Sequence, residues 1–288
     1  MRAAVIISHI VLLAVKALLA PSFVVGASLT VRRFGPQVGG RVGGLPVVAG
    51  PILLVFALME GSDFAAKASA ATLLGLVSLT SFVVVYGRLA SRAPWIACLI
   101  AGSLAFGVGT VVFSAVVVPA GAALAVAFGG FALGLALLPR PAHRVHLPPT
   151  PPAWDLPLRA GCALALVLAL TTAASSLGPQ LSGLLAPFPV ITTVLATFTH
   201  AQSGADETVR VLRGMMKGFV AYALFCFTLA VSLPTLGLAG AFALATAVAL
   251  LTQAVMIHRM RAGRPVLSGA PTAMLEPTPV LEPAGGER

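Results

Sequence analysis

The chain is a succession of apolar runs, each about 18 to 25 residues long, separated by short polar or glycine/proline-marked breaks. A helix of that length covers the roughly 30 Å of hydrocarbon in a bilayer. The runs do not alternate apolar with polar residues, as membrane β-strands of about ten residues would. AAVIISHIVLLAV and FALATAVALLTQAVMI are typical. The pattern predicts an all-α polytopic membrane protein with about nine spans, near 5–31, 43–60, 64–87, 94–117, 119–138, 158–177, 183–200, 208–232 and 235–258. Pro21 falls inside the first and predicts a kink.

Laid over itself at an offset of 143 residues, the sequence repeats. RFGPQVGGRVGGLPVVAG (33–50) aligns without gaps on SLGPQLSGLLAPFPVITT (176–193). Gly35-Pro36-Gln37 falls on Gly178-Pro179-Gln180, Gly40 on Gly183 and Pro46 on Pro189. Further on, Gly61 falls on Gly204, Asp63 on Asp206, Lys67 on Arg210, Gly75 on Gly218 and Phe82 on Phe225; upstream, Lys16 falls on Arg159. Apolar coincidences come cheaply, but Gly and Pro set backbone geometry and Gln and Asp make polar contacts. Each copy holds four spans and one extra span lies between them. An odd crossing turns the second copy over. The expected architecture is a first four-helix repeat (1–118), a linking transmembrane helix (119–139), a Pro-rich cytoplasmic linker (140–157), a second, inverted four-helix repeat (158–260) and a disordered Pro/Gly/Ala-rich tail (261–288). Inverted repeats are characteristic of transporters, whose sites lie at the repeat interface.

Composition agrees: 58% of residues are hydrophobic and 9% charged, too apolar for a soluble domain of this size. The net charge of +10 does not point to nucleic acid, because the basic residues are scattered between spans. With nine spans, Arg32, Arg33, Arg41, Arg88, Arg92, Arg140, Arg144, Arg210, Arg213, Lys217, Arg259, Arg261 and Arg264 share one side, and Arg2 and Lys67 the other, with Glu60 and Asp63. The positive-inside rule then places the N-terminus outside and the C-terminus in the cytoplasm of a bacterial inner membrane. Arg2, an apolar run and Val25-Gly26-Ala27 loosely fit a cleaved signal, but the repeat predicts that this segment is retained as a span.

The chemistry-bearing candidates are few. Pro46 and Pro189 interrupt spans two and seven, each about ten residues after a Gln (Gln37, Gln180), and Thr192 and Thr193 follow the second proline. Helix breaks at matching positions of two halves are the best pointer to a substrate pathway; their plainer role is close helix packing. Asp63 with Lys67, and Asp206 with Arg210, are acid-to-base pairs four residues apart at helix starts. Such pairs cap and stabilise a helix, or gate a pathway. Arg210, Arg213 and Lys217 share a helical face, suited to snorkelling toward lipid headgroups or to a phosphate-bearing substrate. His200 lies near the end of span seven. Cys98, Cys162 and Cys226 lie in apolar segments without metal-ligand spacing. No Walker loop, GxSxG, HExxH or CxxC is present, so no enzyme and no cofactor is expected.

GLLAPFPVITTVLATFTH, followed by QSG and a basic helix start, resembles the GlpM-like small inner-membrane proteins over about 60 residues of the second copy, and more weakly the first. The resemblance implies a polytopic inner-membrane protein. The histidine stands about one helical turn from the family's spacing, so no role is carried over to His200. The layout also looks like a fused dual-topology dimer, as in fused fluoride channels and small multidrug transporters, although their own motifs are absent. The expected function is a permease for a small solute or lipid-linked substrate. The alternatives are a channel, or a scaffold subunit of an envelope-assembly complex. Membrane lipids are the expected partners.

Overall fold

The computed structural model describes residues 21–47, 49–141, 152–174 and 179–262. The expectations for Lys16, the first part of span one, Gly178, most of the linker and the tail lie outside these residues. Among those described, all regular secondary structure is helical: α1 (21–34), α2 (Pro36–Gly43), α3 (Ala49–Met59), α4 (Ser62–Leu89), α5 (Trp95–Ser114), α6 (Ala120–Leu137), α7 (Asp155–Ala174), α8 (Pro179–Leu185) and α9 (Val190–Ala262).

Four stretches are long and apolar enough to cross a membrane: α4, α5, α6 and residues 183–259. The last cannot be one crossing. Its helix α9 has 73 residues, or roughly 110 Å of rise, more than three bilayer cores. Two glycines divide it. Gly204 (φ 82°, ψ −176°) and Gly237 (φ 65°, ψ −178°) leave the helical region and split α9 into legs at 190–203, 205–236 and 238–262. A positive φ is strained for any residue with a Cβ, which is why glycine stands at both breaks. Gly61, before α4, has nearly the same conformation as Gly204 (φ 93°, ψ 168°). The backbone irregularity therefore recurs 143 residues on.

Helix α4 is the centre. Of its apolar window 72% is buried, against 22% for α5 and for α6. Leu73, Leu76, Phe82, Val83 and Tyr86 are fully buried. It packs against α3, α5, α6 and α8. Its N-terminal half carries small residues, Ala65, Ala68, Ser69, Ala71, Thr72 and Gly75, which let α8 approach at backbone distance. The Ser69 and Thr72 hydroxyls donate to carbonyls four residues back (2.7 and 2.8 Å), satisfying themselves within the helix. Thr72 also donates to the Gly183 carbonyl of α8 at 3.0 Å. The outward faces of α5 and α6 are apolar, with Leu104, Val108, Val111 and Leu133 exposed. Such faces suit contact with lipid rather than water.

Contacts between the halves are reciprocal. A methyl group on Gly40 would run into the Val211 carbonyl, and one on Gly183 into the Ala68 carbonyl. A methyl group on Gly218 would stand 2.5 Å from the Arg41 carbonyl oxygen, and one on Gly75 2.5 Å from that of Leu184. Each contact maps onto its partner by the 143-residue offset with the halves exchanged, as across a two-fold axis. Thr80 meets Met216 at 3.8 Å, and further along α4 Gly87 faces Leu212. Rising numbers on α4 thus meet falling numbers on α9, and the two helices cross antiparallel.

The main difference from expectation lies in spans two and seven. Drawn as single helices from 43 and 183, they are each two pieces. Short helices α2 and α8 precede the break, and α3 and the first leg of α9 follow it. Helix α2, with four glycines or prolines and Arg41, is too polar to register as a span, yet Gly39, Gly40, Arg41 and Gly43 are buried.

Candidate functional site

The two helix breaks have the same hydrogen bonds. In the first, the Leu45 amide donates to Val42 (3.2 Å), Val47 to Leu45 (2.8 Å) and Gly50 to Pro46 (2.7 Å). In the second, Phe188 donates to Leu185 (2.9 Å), Val190 to Phe188 (2.7 Å) and Thr193 to Pro189 (2.7 Å). The proline accounts for the pattern. It has no N–H to continue the preceding helix and it biases the residue before it away from helix. Its fixed φ suits a three-residue turn centred on itself. Its own carbonyl then accepts the first bond of the next helix.

A cavity of about 30 Å³ lies between the breaks, room for one or two waters. Four equivalent pairs line it: Gly43 with Ala186, Leu45 with Phe188, Ala49 with Thr192, and Leu79 with Tyr222. It therefore straddles the relation that exchanges the halves. Gly43 and Ala186 stand at the C-terminal ends of α2 and α8, whose last carbonyls accept from Gly44, Leu45, Ala186 and Phe188, and Ala49 and Thr192 bring the first turns of the following helices. A site between such ends offers partial positive and partial negative backbone charge without an ionised side chain.

Of the residues expected here, Pro189 is buried and Pro46 half-buried at their breaks, and Thr192 lines the cavity. Thr193 is half-buried and supplies the backbone donor to Pro189. Gln37 is exposed on α2; its backbone carbonyl, not its side chain, meets Gly214. Gln180 lies in α8, and its side chain is outside the described residues. Asp63 and Lys67 are both exposed and no ion pair joins them. Asp63 does not cap α4 either, because Gly61 occupies the cap. Arg210 pairs with Glu207, the residue after Asp206 in the same turn of α9. Tyr222, the largest polar group of the cavity, escaped notice because its equivalent is Leu79.

A second polar cluster was not anticipated. The Asp155 carboxylate, fully buried, accepts from Arg32 (2.6 Å), from Arg159 (2.9 Å) and from Gln202. Arg159 also stacks over Phe198, 4.8 Å from the ring centre. Burial pushes this carboxyl up, but the hydrogen bonds from Gln202, Arg159 and Arg32 outweigh it and hold Asp155 below the usual carboxylate range. The cluster clasps the end of α1, the start of α7 and the end of the first α9 leg. Other cations secure the same end. Arg88 donates to the Leu137 carbonyl (2.9 Å) and Arg213 to those of Leu135, Leu138 and Pro139 (3.0–3.3 Å), at the C-terminus of α6. His200 lies 3.4 Å from the Tyr86 hydroxyl. Among the described residues, no three His, Cys, Asp or Glu side chains gather to hold a metal.

No protein-family profile, curated protein or solved structure matches the chain.

Proposed function

We propose that this chain is a bacterial inner-membrane transporter, in which two inverted four-helix repeats joined by α6 move against each other around the cavity between the broken helices. The observation that carries the reading is that cavity: equivalent residues from both halves line it, and both halves break at the same proline. Paired interrupted helices at a repeat interface suit transport. Three further features support it. The reciprocal glycine contacts have the form of a two-fold interface. Helix α6 has no equivalent, and as one extra crossing it inverts the second copy, in keeping with the antiparallel crossing of α4 and α9. Arg32, Arg88, Arg159 and Arg213 gather at one end, in keeping with a cytoplasmic side there under the positive-inside rule. The GlpM-like resemblance of the second copy fits the same membrane. In this reading the cavity opens to one side and then to the other as the repeats move. Transport, rather than catalysis, is the activity this geometry serves.

The test is thiol accessibility in sealed vesicles. In a background with Cys98, Cys162 and Cys226 replaced by alanine, single cysteines at Leu45 and Phe188 are expected to react with a membrane-impermeant maleimide, one from each face. Cysteines at Ser62 and Ser203 are expected to react from opposite faces. If positions 45 and 188 react from neither face, the interior is sealed and a scaffold replaces the transporter.

A further inference from the structure

No charged residue is among those described that line the cavity between the breaks. Two of them carry a polar side chain, Thr192 at 3% exposure and Tyr222 at 5%. Neither hydroxyl has a hydrogen-bond partner among the described residues. Elsewhere in the bundle such hydroxyls satisfy themselves. Ser69, Thr72, Thr80, Thr228, Ser232 and Thr252 each donate to the carbonyl four residues back, at 2.6–2.9 Å. Thr192 lacks that outlet. The residue four back is Phe188, whose carbonyl is turned into the break and accepts from the Val190 amide at 2.7 Å. The proline that breaks the helix therefore also frees the hydroxyl in the turn after it. A buried tyrosine hydroxyl ordinarily finds a partner too, because an unpaired polar group in an apolar interior is costly.

Both hydroxyls belong to one half. Their equivalents, Ala49 and Leu79, line the same cavity and have no polar side-chain atom. The backbone of the breaks is common to the halves, but the hydrogen-bonding groups are not.

We infer that Thr192 and Tyr222 bind the transported substrate, and that it is a small uncharged molecule with a hydroxyl or amide group. This names the substrate class of the pathway proposed above and rests on that reading. A hydroxyl both donates and accepts, so the pair suits a neutral group that does the same. An ion would enter this lining without a counter-charge. The room for about one or two waters suits the polar group of the substrate, which replaces water and reproduces its hydrogen bonds. Leu45 and Leu79, from the first half, offer an apolar wall to its carbon side. Polyols and amides share this recognition chemistry.

The full chain is reconstituted in sealed vesicles, and uptake of radiolabelled erythritol, urea and inorganic phosphate is measured separately. Saturable uptake of erythritol, urea or both is expected above that of protein-free vesicles, and none of phosphate. Erythritol alone assigns the site to polyols, and urea alone to amides. Thr192→Val and Tyr222→Phe remove a hydroxyl at nearly constant shape. Each is expected to raise the half-saturating concentration roughly fivefold, the loss of one hydrogen bond. Thr192→Ser keeps the hydroxyl, and Thr228→Val removes one committed to the Leu224 carbonyl; both retain wild-type uptake. Because the two hydroxyls are unpaired within the fold, Thr192→Val and Tyr222→Phe should hold or raise the melting midpoint. A midpoint that falls together with uptake makes the hydroxyls structural and overturns the inference. So does uptake of neither neutral probe, uptake of phosphate, or wild-type uptake in either variant. Thiol labelling at positions 45 and 188 needs no substrate. Labelling from both faces without uptake of the neutral probes removes the substrate class and leaves the transport reading standing; labelling from neither face removes that reading itself.

Discussion

A methyl group added to Gly75 or Gly218 tests the contact between the halves. In Gly75→Ala the new carbon would stand 2.5 Å from the Leu184 carbonyl oxygen and 2.7 Å from a Pro187 ring carbon. In Gly218→Ala it would stand 2.5 Å from the Arg41 carbonyl oxygen and 3.0 Å from the Gly44 α-carbon. A carbon–oxygen contact needs about 3.3 Å, so each helix pair must part by roughly 0.8 Å. The obstacles are backbone or a proline ring, and no rotamer relieves them. Overpacking of this kind costs about 1–3 kcal/mol, and alanine returns about 1 kcal/mol of helix propensity. At the middle of that range the net loss is about 1 kcal/mol, and with about 2–4 °C per kcal/mol for a chain of this order the melting midpoint falls by roughly 2–4 °C.

The assay is built into the chain. Cys98 and Cys226 are free and fully buried, so a thiol-reactive fluorogenic dye reports the opening of the bundle on heating. Gly107, on α5, has open space where its side chain would be, and Gly107→Ala should hold or raise the midpoint. Because Gly75 and Gly218 are equivalent, their variants should fall by similar amounts. Midpoints indistinguishable from wild type in both would refute the backbone-distance packing, and with it the two-fold contact on which the cavity depends.

Three other substitutions probe separate parts. Asp155→Asn leaves Arg159 buried without its carboxylate and should cost about 3–5 kcal/mol, read by the same dye. Because the carboxyl is held below its ordinary value near 3.9, its stabilisation is complete above that pH and is lost only as pH falls through the depressed value. The gap between wild type and Asp155→Asn should therefore stay constant from pH 7 to 5; a gap that closes in that range contradicts the assignment. Thr72→Val removes the hydrogen bond to the Gly183 carbonyl and should cost about 0.6–1.7 kcal/mol, the range for such bonds between membrane helices. An unchanged midpoint would mean that α8 is held by packing alone. Pro46→Ala and Pro189→Ala restore an amide that can continue the preceding helix, so thiol labelling at positions 45 and 188 should drop. Undiminished labelling would show that the breaks do not need their prolines.

What could be read from residue order was whatever is written in backbone-setting residues. Gly61 and Gly204 adopt conformations that only glycine enters easily, and Pro46 and Pro189 make identical turns, so the 143-residue match in Gly and Pro foretold real backbone events. Even there the boundaries moved. The junction between the last two spans, expected at 233–234, falls at Gly237, where the positive φ is, and Pro234 stays within the helix. Contacts made by tertiary approach left little trace. Asp155 meets Arg32 and Gln202 across long stretches of chain, and only Arg159, one turn away, hinted that the carboxylate had a partner. Helix α2 was overlooked because its composition is that of a loop; its burial comes from Gly214 and Gly218 on another helix. Asp63 and Lys67 have the spacing of an ion pair, but both are exposed, where such a pair contributes little.

Under the proposed transport reading, the mixture of kept and lost positions bears on how alike the two mouths of the pathway are. An inverted duplication with identical side chains presents the same chemistry to both leaflets, and a substrate leaving on one side meets what it met on entering. Here the positions that set the backbone are retained in both copies: Gly40 with Gly183, Pro46 with Pro189, Gly61 with Gly204, Gly75 with Gly218. The positions that set the field are not: Arg41 stands against Leu184 and Lys217 against Leu74. Under the transport reading proposed above, a common scaffold exchanges two equivalent conformations at little structural cost, while the side chains set on it differ between the two halves.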